Sequence, residues 1–146
     1  GLAKDALAAL HEIILTPHPG EAARLLNCST TDIQQDRPAA ASKLQSSFGG
    51  VSILKGAGSL ICYTQGERQQ VEQCAHGNPG MASGGMGDVL SGILGGMLAQ
   101  GYSLTESARL GVCIHSKAAD IQAGTHGERG LLATDLFTCV HQLVNP

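Results

Sequence analysis

The segment Gly77–Asp88 reads GNPGMASGGMGD and runs into the apolar stretch Val89–Leu94. A glycine-rich loop that opens a helix is a device for holding an anion. Glycine admits positive φ and close approach of the backbone to a ligand. The first amides of a helix have no acceptor inside it, and the macrodipole favours negative charge in front of them. Here the loop also delivers a carboxylate, Asp88. Amides that hold a transferring phosphoryl group, beside a base that takes a hydroxyl proton, are the parts phosphoryl transfer requires. Taken alone, the loop leads an ordinary turn only modestly, because the chain has 20 glycines. It is not a Walker loop, since no Gly-Lys-Ser/Thr follows. No clear strand leads into GGMG, so it is not the dinucleotide fingerprint either.

Two further segments stand at the carboxyl ends of expected strands, where open α/β sheets place their ligands. In Thr16-Pro17-His18-Pro19-Gly20-Glu21 two prolines hold His18 stiffly. By itself this reads better as a tight turn with a bystander histidine. In Lys55-Gly56-Ala57-Gly58-Ser59 a single cation precedes small residues. That pattern suits phosphate contact and a lysine snorkelling from a strand end equally well. A later stretch, Gly127–Asp135, reads as a loop and helix cap.

The elements that position these segments are expected as follows. Leu2–His11 is an amphipathic helix carrying charges, not a signal peptide. Ile13–Thr16 is a buried strand closed by Pro17. Pro19 stands in the first turn of a helix through Leu26, with Glu21 suited to the dipole. Asp36 and Pro38 open a helix that Phe48-Gly49-Gly50 ends. Val51–Leu54 is a strand, and Leu60–Thr64 with Gln69–Cys74 forms a hairpin. The helix after the glycine-rich loop runs to about Gln100 and stops at Gly101. Ser103-Leu104-Thr105-Glu106 is a capping box for a helix to about Ala123. Gly124–Gly130 is a loop, and Thr134-Asp135 caps a last helix ending near Val144. Strand, helix, helix, strand implies a right-handed parallel crossover, hence an α/β class with a hairpin attached. Only two parallel strands stand out, too few for the helices, so residues 1–146 read as one domain, the C-terminal part of a larger one.

Composition narrows the function. At 42% hydrophobic and 3% aromatic residues, the core is aliphatic. A formal charge of −3 gives no basic footprint for nucleic acid. No apolar run spans a bilayer. Cys28, Cys62, Cys74, Cys113 and Cys139 are odd in number and widely spaced, which suits free thiols in a reducing cytoplasm. No His/Cys spacing suggests a protein-caged metal.

In order along the chain, TPHPGEAARLL, VSILKGAG, GNPGMASGGMGDVLSGILGGMLAQG and GERGLLATDL closely resemble the ADP/ATP-dependent NAD(P)H-hydrate dehydratase family, from about Ile13 onward. The resemblance implies a ribokinase-like α/β fold, three-layered with a mainly parallel sheet. It implies a repair enzyme that restores NADH or NADPH from the ring-hydrated form. The ring hydroxyl is phosphorylated from ADP or ATP, with Mg²⁺ carried mainly by the nucleotide phosphates, and phosphate is then eliminated. By motif match, Asp88 would take the hydroxyl proton and contact the hydrated substrate. Gly85, Met86 and Gly87 would supply the amide anion hole. His18 would contact the hydrated dinucleotide. Lys55, Gly56, Ala57, Gly58 and Ser59 would line the nucleotide's phosphate and ribose side, with Gly87 also against it and Asn78 in a supporting role. The partners implied are these small molecules, neither nucleic acid nor membrane, and in many bacteria a fused epimerase. Family domains are longer at the N-terminus, so exposed apolar surface and a homo-oligomer are expected. Two alternatives stay open: a ribokinase-like kinase for a vitamin precursor, which would not normally carry HPGE, and a non-catalytic nucleotide-binding module.

Overall fold

The computed structural model describes residues 12–145, so the expected helix Leu2–His11 lies outside the described residues. The chain divides into two compact units, residues 1–73 and 74–146.

The first unit is a sheet with helices. Strand β1 (Ile14–Leu15) leads to helices α1 (Pro19–Leu26), α2 (Thr30–Gln35) and α3 (Arg37–Phe48), then to β2 (Val51–Leu54), β3 (Leu60–Gln65) and β4 (Arg68–Gln73). The strand order is β1-β2-β3-β4. β1 and β2 are parallel, in the register Ile14↔Val51, so both carboxyl ends open at one edge. The remaining pairs are antiparallel. Gly66 at φ +62° makes the tight turn between β3 and β4, pairing Gln65 with Arg68. β2 is buried along its whole length. Ile33, Ala41, Leu44, Phe48, Leu54 and Cys62 join one aliphatic core with a single aromatic ring. The chain's own sheet thus carries one parallel pair and two antiparallel pairs. The expected strand Ile13–Thr16 shortens to two residues because Pro17 donates no ladder bond.

Caps set most helix ends. Asp36 Oδ1 accepts from Ala39 N at 2.9 Å, with Pro38 in the first turn of α3. The unexpected α2 starts at a capping box, in which Ser29 and Asp32 satisfy each other's amides. Its serine bonds hold the Asp32 carboxyl below its ordinary range.

The second unit is helical. A short 3₁₀ turn, Pro79–Ala82, precedes α4 (Met86–Ala99), α5 (Leu104–His126), a second 3₁₀ turn (Ala133–Asp135) and α6 (Leu136–Val144). α5 starts at the expected Ser103–Glu106 box. It runs on through Gly124 to His126, correcting the expected loop from Gly124. Gly127, at φ +87°, supplies the stop. Met86, Ala118, Ala119, Leu131, Leu136 and Cys139 form the core joining α4, α5 and α6. α4 and α5 pack closely because Gly111 lacks a Cβ, which would lie 2.7 Å from Leu94 Cδ2. All five cysteines are free thiols. Among the described residues no helix is long and apolar enough to cross a membrane.

Candidate functional site

In the first unit the parallel pairing of β1 with β2 brings two of the expected segments side by side. Lys55 N donates to Pro17 O at 2.9 Å, which ties the strand ends together. His18 is the N-cap of α1. Its Nδ1 accepts from Gly20 N at 3.1 Å and Glu21 N at 3.3 Å, while Glu21 Oε2 accepts from His18 N at 2.7 Å. This is a capping box with histidine in the place of serine or threonine. Pro19 preorganises the first turn. Gly20 leaves room for the ring, since a Cβ there would lie 3.0 Å from His18 Cε1 and the imidazole would have to give way.

Glu21 does more than complement the dipole. Its Oε1 lies 3.5 Å from His18 Nε2 and its Oε2 lies 3.9 Å from Lys55 Nζ. It therefore bridges the two segments, a role absent from the sequence reading. The available signal was its position, three residues after the cap. Lys55 is only 27% exposed at its side chain, so its ammonium is held near this edge. The loop Gly56–Ser59 follows it, with Gly56 at φ +148° and Gly58 at φ +66°. A Cβ on Gly58 would meet Gln73 Nε2 at 2.1 Å, so that side chain would have to move, and the positive φ itself favours glycine there.

In the second unit the glycine-rich segment divides into a pinned entrance and an open exit. At the entrance, Asn78 Oδ1 accepts from Gly80 N at 3.0 Å and caps the 3₁₀ turn. Asn78 Nδ2 donates to Asp120 Oδ1 at 3.0 Å, and Gly77 N donates to Asp120 Oδ2 at 3.0 Å. His76 Nδ1 stands 3.4 Å from the same carboxylate. Burial works to raise the Asp120 pKa. The bonds from Asn78 and Gly77, with the charges of His76 and Lys117, outweigh it and leave the group below its ordinary value. The amide of Asn78 is thus committed to folding the loop. Asp120, 42 residues away, had no local sequence signal.

At the exit, Gly85 takes φ +85°, the left-handed turn that starts α4. Asp88 is therefore inside the first helical turn, not at the end of the loop. Its own amide and that of Val89 donate to Gly85 O at 3.0 Å. The amides of Met86 and Gly87 have no acceptor among the described residues, so they remain available to an anion. The Met86 side chain is buried in the core, which leaves its backbone as the only part that can face a ligand. The Asp88 side chain is exposed and its carboxylate has no partner among the described residues. Available amides and an unengaged carboxylate thus share one helical turn. No group of three or more His, Cys, Asp or Glu residues that could hold a metal exists among the described residues.

The comparisons agree with this architecture. A family model described as NAD(P)H-hydrate dehydratase matches residues 2–142. The chain is 57% identical over 133 residues to a bifunctional NAD(P)H-hydrate repair enzyme of Coxiella burnetii, covering 91% of the chain and 27% of that protein. It is 42% identical over 134 residues to an ADP-dependent (S)-NAD(P)H-hydrate dehydratase of Neisseria meningitidis, covering 91% and 44%. It also matches an ADP/ATP-dependent NAD(P)H-hydrate dehydratase of Bacillus subtilis co-crystallised with ATP and Mg²⁺. The TM-score is 0.82 and the identity 29%, covering 90% of this chain and 47% of that one. The chain thus spans about a quarter to a half of the length of these relatives. The fold is ribokinase-like, and the chain belongs to the NAD(P)H-hydrate dehydratase family.

Proposed function

We propose that the protein containing this chain dehydrates ring-hydrated NADH or NADPH, consuming ADP or ATP. The observation that carries the reading is the first turn of α4, where an exposed, unpartnered Asp88 follows the acceptor-less amides of Met86 and Gly87. The family model runs across both units, which supports reading them as parts of one domain.

In this reading Asp88 accepts the proton of the ring hydroxyl as that oxygen attacks the terminal phosphoryl group. The Gly85–Gly87 backbone stabilises the charge on the transferring group, the larger part of what phosphoryl transfer asks of a protein. The hydroxyl leaves as phosphate, restoring the dihydronicotinamide. Lys55 and the Gly56–Ser59 backbone take the phosphate and ribose side of the nucleotide, and His18 contacts the hydrated dinucleotide. Mg²⁺ enters with the nucleotide phosphates, as suits an ion that keeps water and phosphate ligands. The bifunctional name of the Coxiella relative supports an epimerase as fused or partner activity.

The test is the rise in dihydronicotinamide absorbance when the whole protein meets hydrated NADH, Mg²⁺ and ADP or ATP. Nucleotide-dependent recovery, abolished by Asp88→Asn without loss of folding, is expected. No recovery with either nucleotide refutes the reading.

A further inference from the structure

Arg37 is the first residue of α3, a position where the helix dipole disfavours a cation. The half-buried side chain forms no ion pair among the described residues. Its guanidinium reaches instead to the loop after β2. Nη1 donates to Ala57 O at 2.6 Å, and Nη2 donates to Gly58 O at 3.0 Å and lies 3.5 Å from Leu54 O. A single planar fork thus gathers carbonyls from both ends of the Lys55–Ser59 segment.

The consequence follows from peptide geometry. In a trans peptide the C=O and the following N–H point in opposite directions, and no peptide of the described chain is cis. Turning the Ala57 and Gly58 carbonyls toward Arg37 therefore turns the Gly58 and Ser59 amides away from it. The Leu54 peptide shows the same relation, for the Lys55 amide leaves on the far side to meet Pro17 O. The Gly58 and Ser59 amides have no acceptor among the described residues. Glycines at 56 and 58 leave this backbone little preference of its own, so an untethered peptide flip is cheap. A flipped peptide would offer a phosphate a carbonyl oxygen instead of an N–H.

We propose that Arg37 is a positioning residue for nucleotide binding, holding the Ala57 and Gly58 carbonyls so that the amides of Gly58 and Ser59 face the phosphates of a nucleoside diphosphate or triphosphate. This rests on the reading of Lys55–Ser59 as the nucleotide loop. Arginine is specified because lysine is a point charge that cannot fork across two carbonyls.

The experiment measures Kd for ADP and ATP by calorimetry, and KM for nucleotide and for hydrated NADH separately, in the whole protein and in Arg37→Met and Arg37→Lys. Loss of one charge-assisted hydrogen bond corresponds to about a tenfold rise in nucleotide Kd and KM. KM for the hydrate should hold within about twofold, and Arg37→Lys should keep most of the defect. Where Arg37→Met fails to fold, Arg37→Lys carries the same comparison. Faster amide exchange across 55–60 should accompany the loss. Nucleotide binding unchanged in a folded variant overturns the proposal and leaves the proposed function standing. So does full rescue by lysine, or equal loss for both substrates together with a lower melting temperature. A wild-type protein that binds neither nucleotide overturns the nucleotide reading, and this proposal with it.

Discussion

Replacing Asp120 by alanine should release the entrance of the glycine-rich segment. The carboxylate accepts from Gly77 N and from Asn78 Nδ2, each at 3.0 Å, and lies 3.4 Å from His76 Nδ1. A hydrogen bond to a charged group contributes roughly 1.5–3 kcal/mol. The side chain is 30% exposed, so water replaces part of each bond and the low end applies. Two bonds then give about 2–3 kcal/mol, or roughly a 30- to 150-fold rise in the open population of the loop. The assay is hydrogen exchange of a peptide spanning residues 76–80, at neutral pH, in wild type and Asp120→Ala. Acid supplies the second arm. Because the folded-state pKa lies below the ordinary value of 3.8, the stabilisation is fully present above that value. It is lost as pH falls through the lower folded value. Wild-type protection at this segment should therefore hold from neutral pH down to about 4 and fall below it, while the alanine variant shows no such step. Exchange in Asp120→Ala within about twofold of wild type would refute the assignment of Asp120 as the pin.

Other outcomes follow from the same geometry. Gly85→Ala places a side chain at φ +85° with its Cβ 3.2 Å from Ala133 Cβ, so it should cost about 1–2 kcal/mol in chemical denaturation and lower turnover. Phe48→Ala empties a site 1% exposed in the first unit's core and should cost about 3–5 kcal/mol by the same measurement. His18→Ala should cost about 1 kcal/mol through loss of the α1 cap, whereas His18→Asn, itself a good cap, should restore stability but not the KM for hydrated NADH.

The parts of the fold legible in the sequence were those written locally. Asp36, Ser103 and Gly66 each announce an element within a few residues, and the structure places the expected caps and turn there. Helix α2 was missed because six residues are too few to show a period, and only Ile33 among them is buried. The end of α5 was misjudged because Gly124 reads as a stop, while the residue that takes up positive φ is Gly127. At the site, the expected loops lie at the carboxyl ends of β1 and β2 and at the start of α4. What sequence could not show was which residues hold them. Asp120 and Arg37 act on backbone groups 43 and about 20 residues away, through contacts that exist only once the chain has folded.

His18 shows why a motif proposed to contact substrate reads by itself as a bland turn. Nδ1 accepts from the first amides of α1, so in the neutral ring the proton stands on Nε2. The capping bonds thereby fix both the tautomer and the orientation of a ring whose side chain is 51% exposed. Glu21 reinforces this from two directions, accepting from the His18 backbone and standing beside Nε2. The prolines confine the backbone, Gly20 leaves room for the ring, and Glu21 closes the box and reaches Lys55. Each residue type in Pro-His-Pro-Gly-Glu thus has a local folding reason. That sufficiency made the structural reading of the motif the stronger one when it stood alone. Under the proposed function, folding and recognition would use opposite edges of one imidazole: the Nδ1 edge caps the start of a helix, and the Nε2 edge, beside the Glu21 carboxylate, would meet the hydrated dinucleotide.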